Sequence, residues 1–190
     1  MVIALASLLL YLPINRLVSQ GYNLELPIDK SIPLLSLFVV PYLIGIIFWP
    51  VSIFLINLKH SGKIAFSFNR QIIIANVTAS IIYLTVPTLV SRPVIVNSDI
   101  FSNLLNWLYT NDRVYNAAPS GHTFNTLICC WALNKIYPKY TLVWFAIAAL
   151  IIISTLFTKQ HNILDVLLGI VFALVIKFAL EKFLKNPKIN

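Results

Sequence analysis

Six apolar runs, near residues 2–18, 32–57, 71–90, 120–136, 140–158 and 161–183, fill most of this 190-residue chain, and each ends at a polar or Pro-containing segment. A helix needs roughly 20 apolar residues to cross the hydrocarbon of a bilayer. A segment alone in lipid can satisfy its backbone hydrogen bonds only as a helix. The expected fold class is therefore all-α: an integral membrane six-helix bundle, with a single membrane-embedded domain over 1–190. Composition agrees, because the chain is 59% hydrophobic and only 11% charged, against about 25% charged residues in soluble domains. That excludes a water-soluble globule, and the high hydrophobicity excludes disorder.

The first run is the weakest, being uninterrupted only from Leu8 to Ile14. It has no basic leading region and is followed by Arg16 rather than a small-residue cleavage site, so it reads as a short span and not a cleavable signal. The second run contains Pro33, Pro41 and Pro50, which predicts bends. The long polar connection Ser91 to Ala118 carries Ile100, Phe101, Leu104, Leu105 and Leu108 at helical spacing, which suits an interfacial amphipathic helix or a packed loop. Cys129 and Cys130 are adjacent within an apolar run, which offers neither a disulfide framework nor metal-ligand spacing.

The net charge is +8, and its placement matters more than its size. Threading six spans puts Lys59, Lys63, Arg70, Lys135, Lys139, Lys177, Lys182, Lys185 and Lys188 on the side of both termini, against Glu181 alone. The opposite side balances Arg16, Lys30, Arg92, Arg113 and Lys159 against Glu25, Asp29, Asp99, Asp112 and Asp165. By the positive-inside rule the termini are cytoplasmic and the neutral side is extracytoplasmic. The basic excess thus orients the protein, and no nucleic acid partner is expected.

Three polar clusters break the apolar pattern, and all fall on the neutral side: Arg92-Pro93, Pro119-Ser120-Gly121-His122, and Thr158-Lys159-Gln160-His161-Asn162-Ile163-Leu164-Asp165. Singly each has an ordinary reading: Arg92 and Lys159 as interfacial anchors, Ser120 as an N-cap, His122 as a hydrogen-bonded structural residue, and His161 with Asp165 as a local i,i+4 pair. Together they suit phosphoryl transfer, since ionisable groups at a membrane edge are costly and therefore functional by default. A neutral imidazole at His161 can attack phosphorus while Asp165, one turn on, orients it. His122 can protonate the leaving oxygen. Arg92, Lys159, Ser120, Gly121 and the helix N-terminus that opens there can bind phosphoryl oxygens.

Pro119-Ser120-Gly121-His122, followed by His161-x-x-x-Asp165 and preceded by Arg92-Pro93, resembles the three-part signature of the type-2 phosphatidic acid phosphatase and vanadium haloperoxidase superfamily. The resemblance implies His161 as nucleophile, His122 as general acid, Asp165 as orienter, and Arg92, Ser120, Gly121 and the Lys159 region as phosphate binders. It implies a lipid phosphate or diphosphate as substrate, with no cofactor and no metal. Two positions depart from the family pattern: Thr85 stands where a Lys is usual, and Ser154-Thr155 where a Ser-Arg pair is usual. Lys159 and Arg113 are the candidate replacements. Thr-Lys-Gln-His is similar to the branch containing inositol phosphorylceramide synthases, so a lipid phosphotransferase using the same site is the alternative to a phosphatase. Three other readings rank lower: a metal held by His122, His161 and Asp165, which Arg92 and Lys159 would repel; a Ser120 nucleophile, which lacks a G-x-S-x-G elbow; and a non-enzymatic transporter or subunit.

Overall fold

The first apolar run forms two short helices, α1 (Val2–Leu8) and α2 (Tyr11–Leu17), rather than one span. The cause is local. Pro13 has no N–H for the Leu9 carbonyl and its ring crowds that turn, while the Ser7 hydroxyl donates to the Ala4 carbonyl at 2.7 Å. This computed structural model describes residues 1–60 and 62–185, with side chains to Glu181; Lys188, and the side chains of Lys182 and Lys185, lie outside what is described.

The second run begins later than its hydropathy, at α3 (Val39–Lys59), after Pro33 and a 3-10 turn over Ser36–Phe38. Pro41 sits in the first turn, where a missing N–H costs nothing. Pro50 lies inside the helix. The next helix, α4 (Lys63–Thr85), starts well before the expected residue 71. Its polar first turns are held by a reciprocal amide pair to α3, with Asn69 Nδ2 donating to Asn57 Oδ1 at 2.7 Å and Asn57 Nδ2 to Asn69 Oδ1 at 3.1 Å. It stops at Thr85 rather than residue 90 because Val86 precedes Pro87, which disfavours helical backbone.

The polar connection does contain an amphipathic helix, α5 (Ile100–Asn111), capped by the Asp99 carboxylate, which accepts from the Phe101 and Ser102 amides at 2.9 and 3.2 Å. Its apolar face buries Leu105 and Leu108 against Val39 and Tyr42 of α3. The remaining helices, α6 (Gly121–Ile136), α7 (Thr141–Phe157) and α8 (Ile163–Lys185), fall within about two residues of the sequence expectation. The hub is α6, which packs against α3, α4, α7 and α8 and buries Phe124, Ile128, Cys129 and Leu133. Both cysteines are buried free thiols.

Among the described residues, three helical segments are long and apolar enough to cross a bilayer, Ser36–Lys59, Pro138–Phe157 and Ile163–Glu181, with Val2–Leu17 as a shorter apolar stretch. The chain is thus mostly helical and membrane-type, but length and hydropathy alone do not give six spans. The polar first turns of α4 and the 16 residues of α6 fall short of that measure. One end of the helices gathers Lys59, His60, Tyr137 and Tyr140. The other gathers the loops. There β1 (Tyr22–Asn23) pairs in parallel with β2 (Thr88–Leu89), Leu89 bridges to Tyr115, and the Leu35 amide donates to the Phe157 carbonyl at 3.0 Å.

Candidate active site

Two motifs distant in sequence are joined by one backbone bond: the Ser120 amide donates to the Asp165 carbonyl at 3.0 Å. The contact requires α6 and α8 to approach closely, and Gly169 permits it. A Cβ there would lie 2.9 Å from Thr123 Cβ and 3.0 Å from the Ser120 carbonyl oxygen. On the other flank the Tyr83 hydroxyl donates to the Pro119 carbonyl at 2.6 Å, and the Ala118 amide to Thr88 Oγ1 at 2.7 Å.

This frame brings His122 and His161 together, with ring centroids 6.2 Å apart. Both are buried, and Asp165 is fully so. Asp165 Oδ2 accepts from the Asn162 amide at 2.7 Å, as in half of a capping box at the start of α8, and lies 3.8 Å from His161 Nδ1. His122 is held by aromatic packing. Tyr42 stacks on it at 3.9 Å between centroids and Trp49 meets it edge-on at 4.8 Å, while the Trp49 indole N–H donates to Thr126 Oγ1 at 3.0 Å. Gly45 of α3 leaves the room this needs, since a Cβ there would sit 3.3 Å from His122 Cδ2 and 2.8 Å from Ile151 Cγ2.

Arg92 reaches the same place. Its Nη1 donates to the Asp112 carbonyl at 2.5 Å and its Nη2 to the side-chain oxygen of Gln160, and its guanidinium lies over the Tyr109 ring at 4.8 Å. The Asp112 carboxylate is 3.7 Å away and accepts from the Tyr11 hydroxyl at 2.6 Å. Burial raises the Asp112 carboxyl above the usual carboxylate range, against the lowering effects of the Tyr11 bond, Arg92 and His161. Burial likewise pushes the Tyr109 phenol up to about 12.

Several polar atoms here are buried without a protein partner: Arg92 Nε, His122 Nε2, Gln160 Nε2, His161 Nδ1 and Asp165 Oδ1. Unsatisfied buried groups are rare in folded proteins and costly, so their concentration around two imidazoles marks a place made for a polar ligand. Among the described residues, no three His, Cys, Asp or Glu side chains are gathered so as to hold a metal ion.

The other sequence candidates are placed differently. The Ser120 hydroxyl caps α6, accepting from the Thr123 amide at 3.3 Å and Thr123 Oγ1 at 3.1 Å. A Cβ on Gly121 would meet Tyr83 Oη only at 3.7 Å, an ordinary contact. The Lys159 ammonium donates to the Asp29 carbonyl at 2.7 Å. Arg113 turns toward α2, donating to the Arg16 carbonyl at 2.7 Å and lying over the Tyr115 ring. Thr85 and Thr155 donate to carbonyls of their own helices.

Sequence reading missed Asp29, Asp112, Gln160, Tyr42, Trp49 and Gly45 as site components. Asp29 is the clearest case. It is buried, its Oδ1 accepts from the Ile163 amide at 2.8 Å and its Oδ2 from the Leu26 amide at 2.7 Å. It therefore fastens the loop before α3 to both flanks of His161. The available signal was scarcity, because the chain has only six acidic residues.

The geometry fits the family signature. No curated protein and no solved structure matches the chain. A family model, that of the PAP2 superfamily, matches residues 64–187 and so includes all three motifs. Members of that superfamily are phosphatases and phosphotransferases. With well over half its length matched, this chain belongs to the type-2 phosphatidic acid phosphatase superfamily.

Proposed function

We propose that this protein is an integral-membrane enzyme that cleaves a lipid phosphate or diphosphate through a phosphohistidine intermediate at His161. The observation that carries this is the pair of buried imidazoles 6.2 Å apart, one backed by a carboxylate, with unpartnered ring nitrogens. The gap suits a phosphoryl group bound between them with reacting atoms at about 3–3.5 Å. With Nδ1 facing Asp165, His161 Nε2 attacks phosphorus and the bond to the leaving oxygen breaks. His122 Nε2 gives that oxygen its proton. The cation formed at His161 is stabilised by the Asp165 carboxylate, which lies 3.8 Å from Nδ1 in the free protein and tightens onto its N–H in the substrate complex. Water then attacks phosphohistidine, releasing phosphate and restoring His161. Arg92 contributes its unpartnered Nε to the phosphoryl oxygens.

The same reading has six spans with cytoplasmic termini and an extracytoplasmic site; the basic residues at the Lys59 end support its orientation. A lipid substrate is supported by an apolar groove of about 500 Å³ between α4 and α8, walled by Ile82, Leu168, Val171 and Phe172 and reaching Ala118 and Pro119 next to the site. A phosphotransferase is the second reading, favoured by one observation: both histidines are over 90% buried, which suits passing the phosphoryl group to a lipid alcohol instead of water.

The test is phosphate release by detergent-purified protein with EDTA present, against phosphatidate, a polyprenyl diphosphate and phosphatidylglycerol phosphate, for wild type and His161→Ala. Release that His161→Ala abolishes is expected. Equal release by that variant refutes the mechanism. A wild type that forms acid-labile phosphoenzyme and discharges it only when a lipid alcohol is added, with the phosphoryl group recovered on that alcohol and not as free phosphate, is a transferase.

A further inference from the structure

The resemblance places cations at two positions where this chain has Thr85 and Thr155. Thr85 and Thr155 are neutral, Lys159 is held by the Asp29 carbonyl, Arg113 is turned to α2, and Arg92 has the Asp112 carboxylate beside it. One side chain that has not been assigned a role is placed to compensate. Gln160 precedes His161, is 3% exposed, and is fixed on both sides. Its own amide and that of His161 donate to the Thr155 carbonyl at 3.0 and 3.1 Å. Its Oε1 accepts from Arg92, so the amide orientation is set and Nε2 is the free end. That Nε2 is buried and has no partner, as is Arg92 Nε.

We propose that Gln160 is a phosphate-binding residue whose side-chain N–H donates to a non-bridging oxygen of the phosphoryl group at His161, beside Arg92 Nε, in place of a missing cation. This rests on the phosphoryl site proposed above. The argument is one of satisfaction: a buried amide donor lost to solvent costs free energy, and an anion that also meets Arg92 Nε removes two such losses together. A neutral donor also adds no positive charge, so the pocket binds phosphoryl oxygen by hydrogen bonding more than by net charge.

Two roles for Gln160 can be separated by substitution. Gln160→Glu keeps an oxygen for Arg92 and gains a charge pair with it, but replaces the donor with an acceptor. Gln160→Met removes both. Thermal stability, inhibition by inorganic phosphate and kcat/KM would be measured for both variants and wild type. The expected result is that Gln160→Glu melts no lower than wild type yet loses about 10- to 100-fold in phosphate affinity and kcat/KM, as for a hydrogen bond to a charged group. Gln160→Met should lose affinity by about 10-fold or more.

If Gln160 only braced Arg92, Gln160→Met would lose no further phosphate affinity in an Arg92→Met background, and that result overturns the proposal. Unchanged affinity in Gln160→Met overturns it too, while His161-dependent turnover in the same preparation leaves the reaction assignment intact. Wild-type protein that neither binds phosphate nor turns over a lipid phosphate overturns both readings.

Discussion

Adding one methyl group at Gly45 tests how His122 is held. The new Cβ would lie 2.8 Å from Ile151 Cγ2, a distance real Cβ atoms essentially never show, and 3.3 Å from His122 Cδ2. Ile151 is 1% exposed and has nowhere to go, and His122 is closed in by Tyr42 and Trp49. Overpacking of this kind costs about 1–3 kcal/mol. Replacing a helical glycine with alanine returns roughly 0.5–1 kcal/mol. The net loss is then about 0–2.5 kcal/mol, or a Tm drop of up to roughly 10 °C at about 2–4 °C per kcal/mol. Activity should fall as well, by less than the about 100-fold that a displacement of about 1 Å is worth, because the 3.3 Å contact to His122 is relieved by a few tenths of an ångström. The assay is Tm and kcat for Gly45→Ala, Ile151→Ala and the double variant in detergent. Ile151→Ala alone should cost about 2–5 kcal/mol by opening a cavity. The Gly45→Ala methyl would occupy part of that space, giving a favourable coupling of about 1–3 kcal/mol. The His122 contact would persist, so kcat should stay low in the double variant. A Gly45→Ala protein with wild-type Tm and kcat, or strictly additive stabilities, would refute the packing argument.

Asp29→Ala strands the half-buried Leu26 and Ile163 amides and should cost up to roughly 2–6 kcal/mol at about 1–3 kcal/mol per orphaned donor; Asp29→Asn, which keeps one acceptor oxygen, should recover a large part of this in thermal melts, and equal melting of Asp29→Ala and wild type would count against the clamp. Burial holds the Asp112 carboxyl above its unfolded value, so between the two pKa values the native state binds more protons than the unfolded chain and stability falls as pH rises. Melts of wild type against Asp112→Asn from about pH 3.5 to 7 should therefore show wild type losing ground as pH rises from the ordinary carboxyl range, about 3.9, toward the raised value; a pH-independent difference would contradict it.

What was legible in the sequence was local or periodic. The boundaries of α6, α7 and α8 followed from apolar runs with clear ends. The order of Arg92-Pro93, Pro-Ser-Gly-His and His-x-x-x-Asp pointed to the superfamily, whereas the His161–Asp165 approach does not come from one helical turn, because His161 lies two residues before α8. The split of the first run at Leu9–Leu10, one turn ahead of Pro13, and the early start of α4 were not legible, because hydropathy gives no weight to a proline's missing donor or to an amide pair such as Asn57–Asn69. The tertiary partner of Lys159 was not legible for a related reason. A cation two residues from His161 looks free in sequence, yet in the folded chain it faces the carbonyl of Asp29, 130 residues earlier.

The sequence by itself determined that this chain is helical and membrane-type and that it carries the superfamily's motifs, because hydropathy and motif spacing are written along the backbone. Only the tertiary structure decided which side chains of those motifs remain open. That depends on bonds across about a hundred residues: Ile163 to Asp29, Arg92 to Gln160, Asp112 to Tyr11. A buried donor with no partner is a property of the packed fold, and no run of residues encodes it.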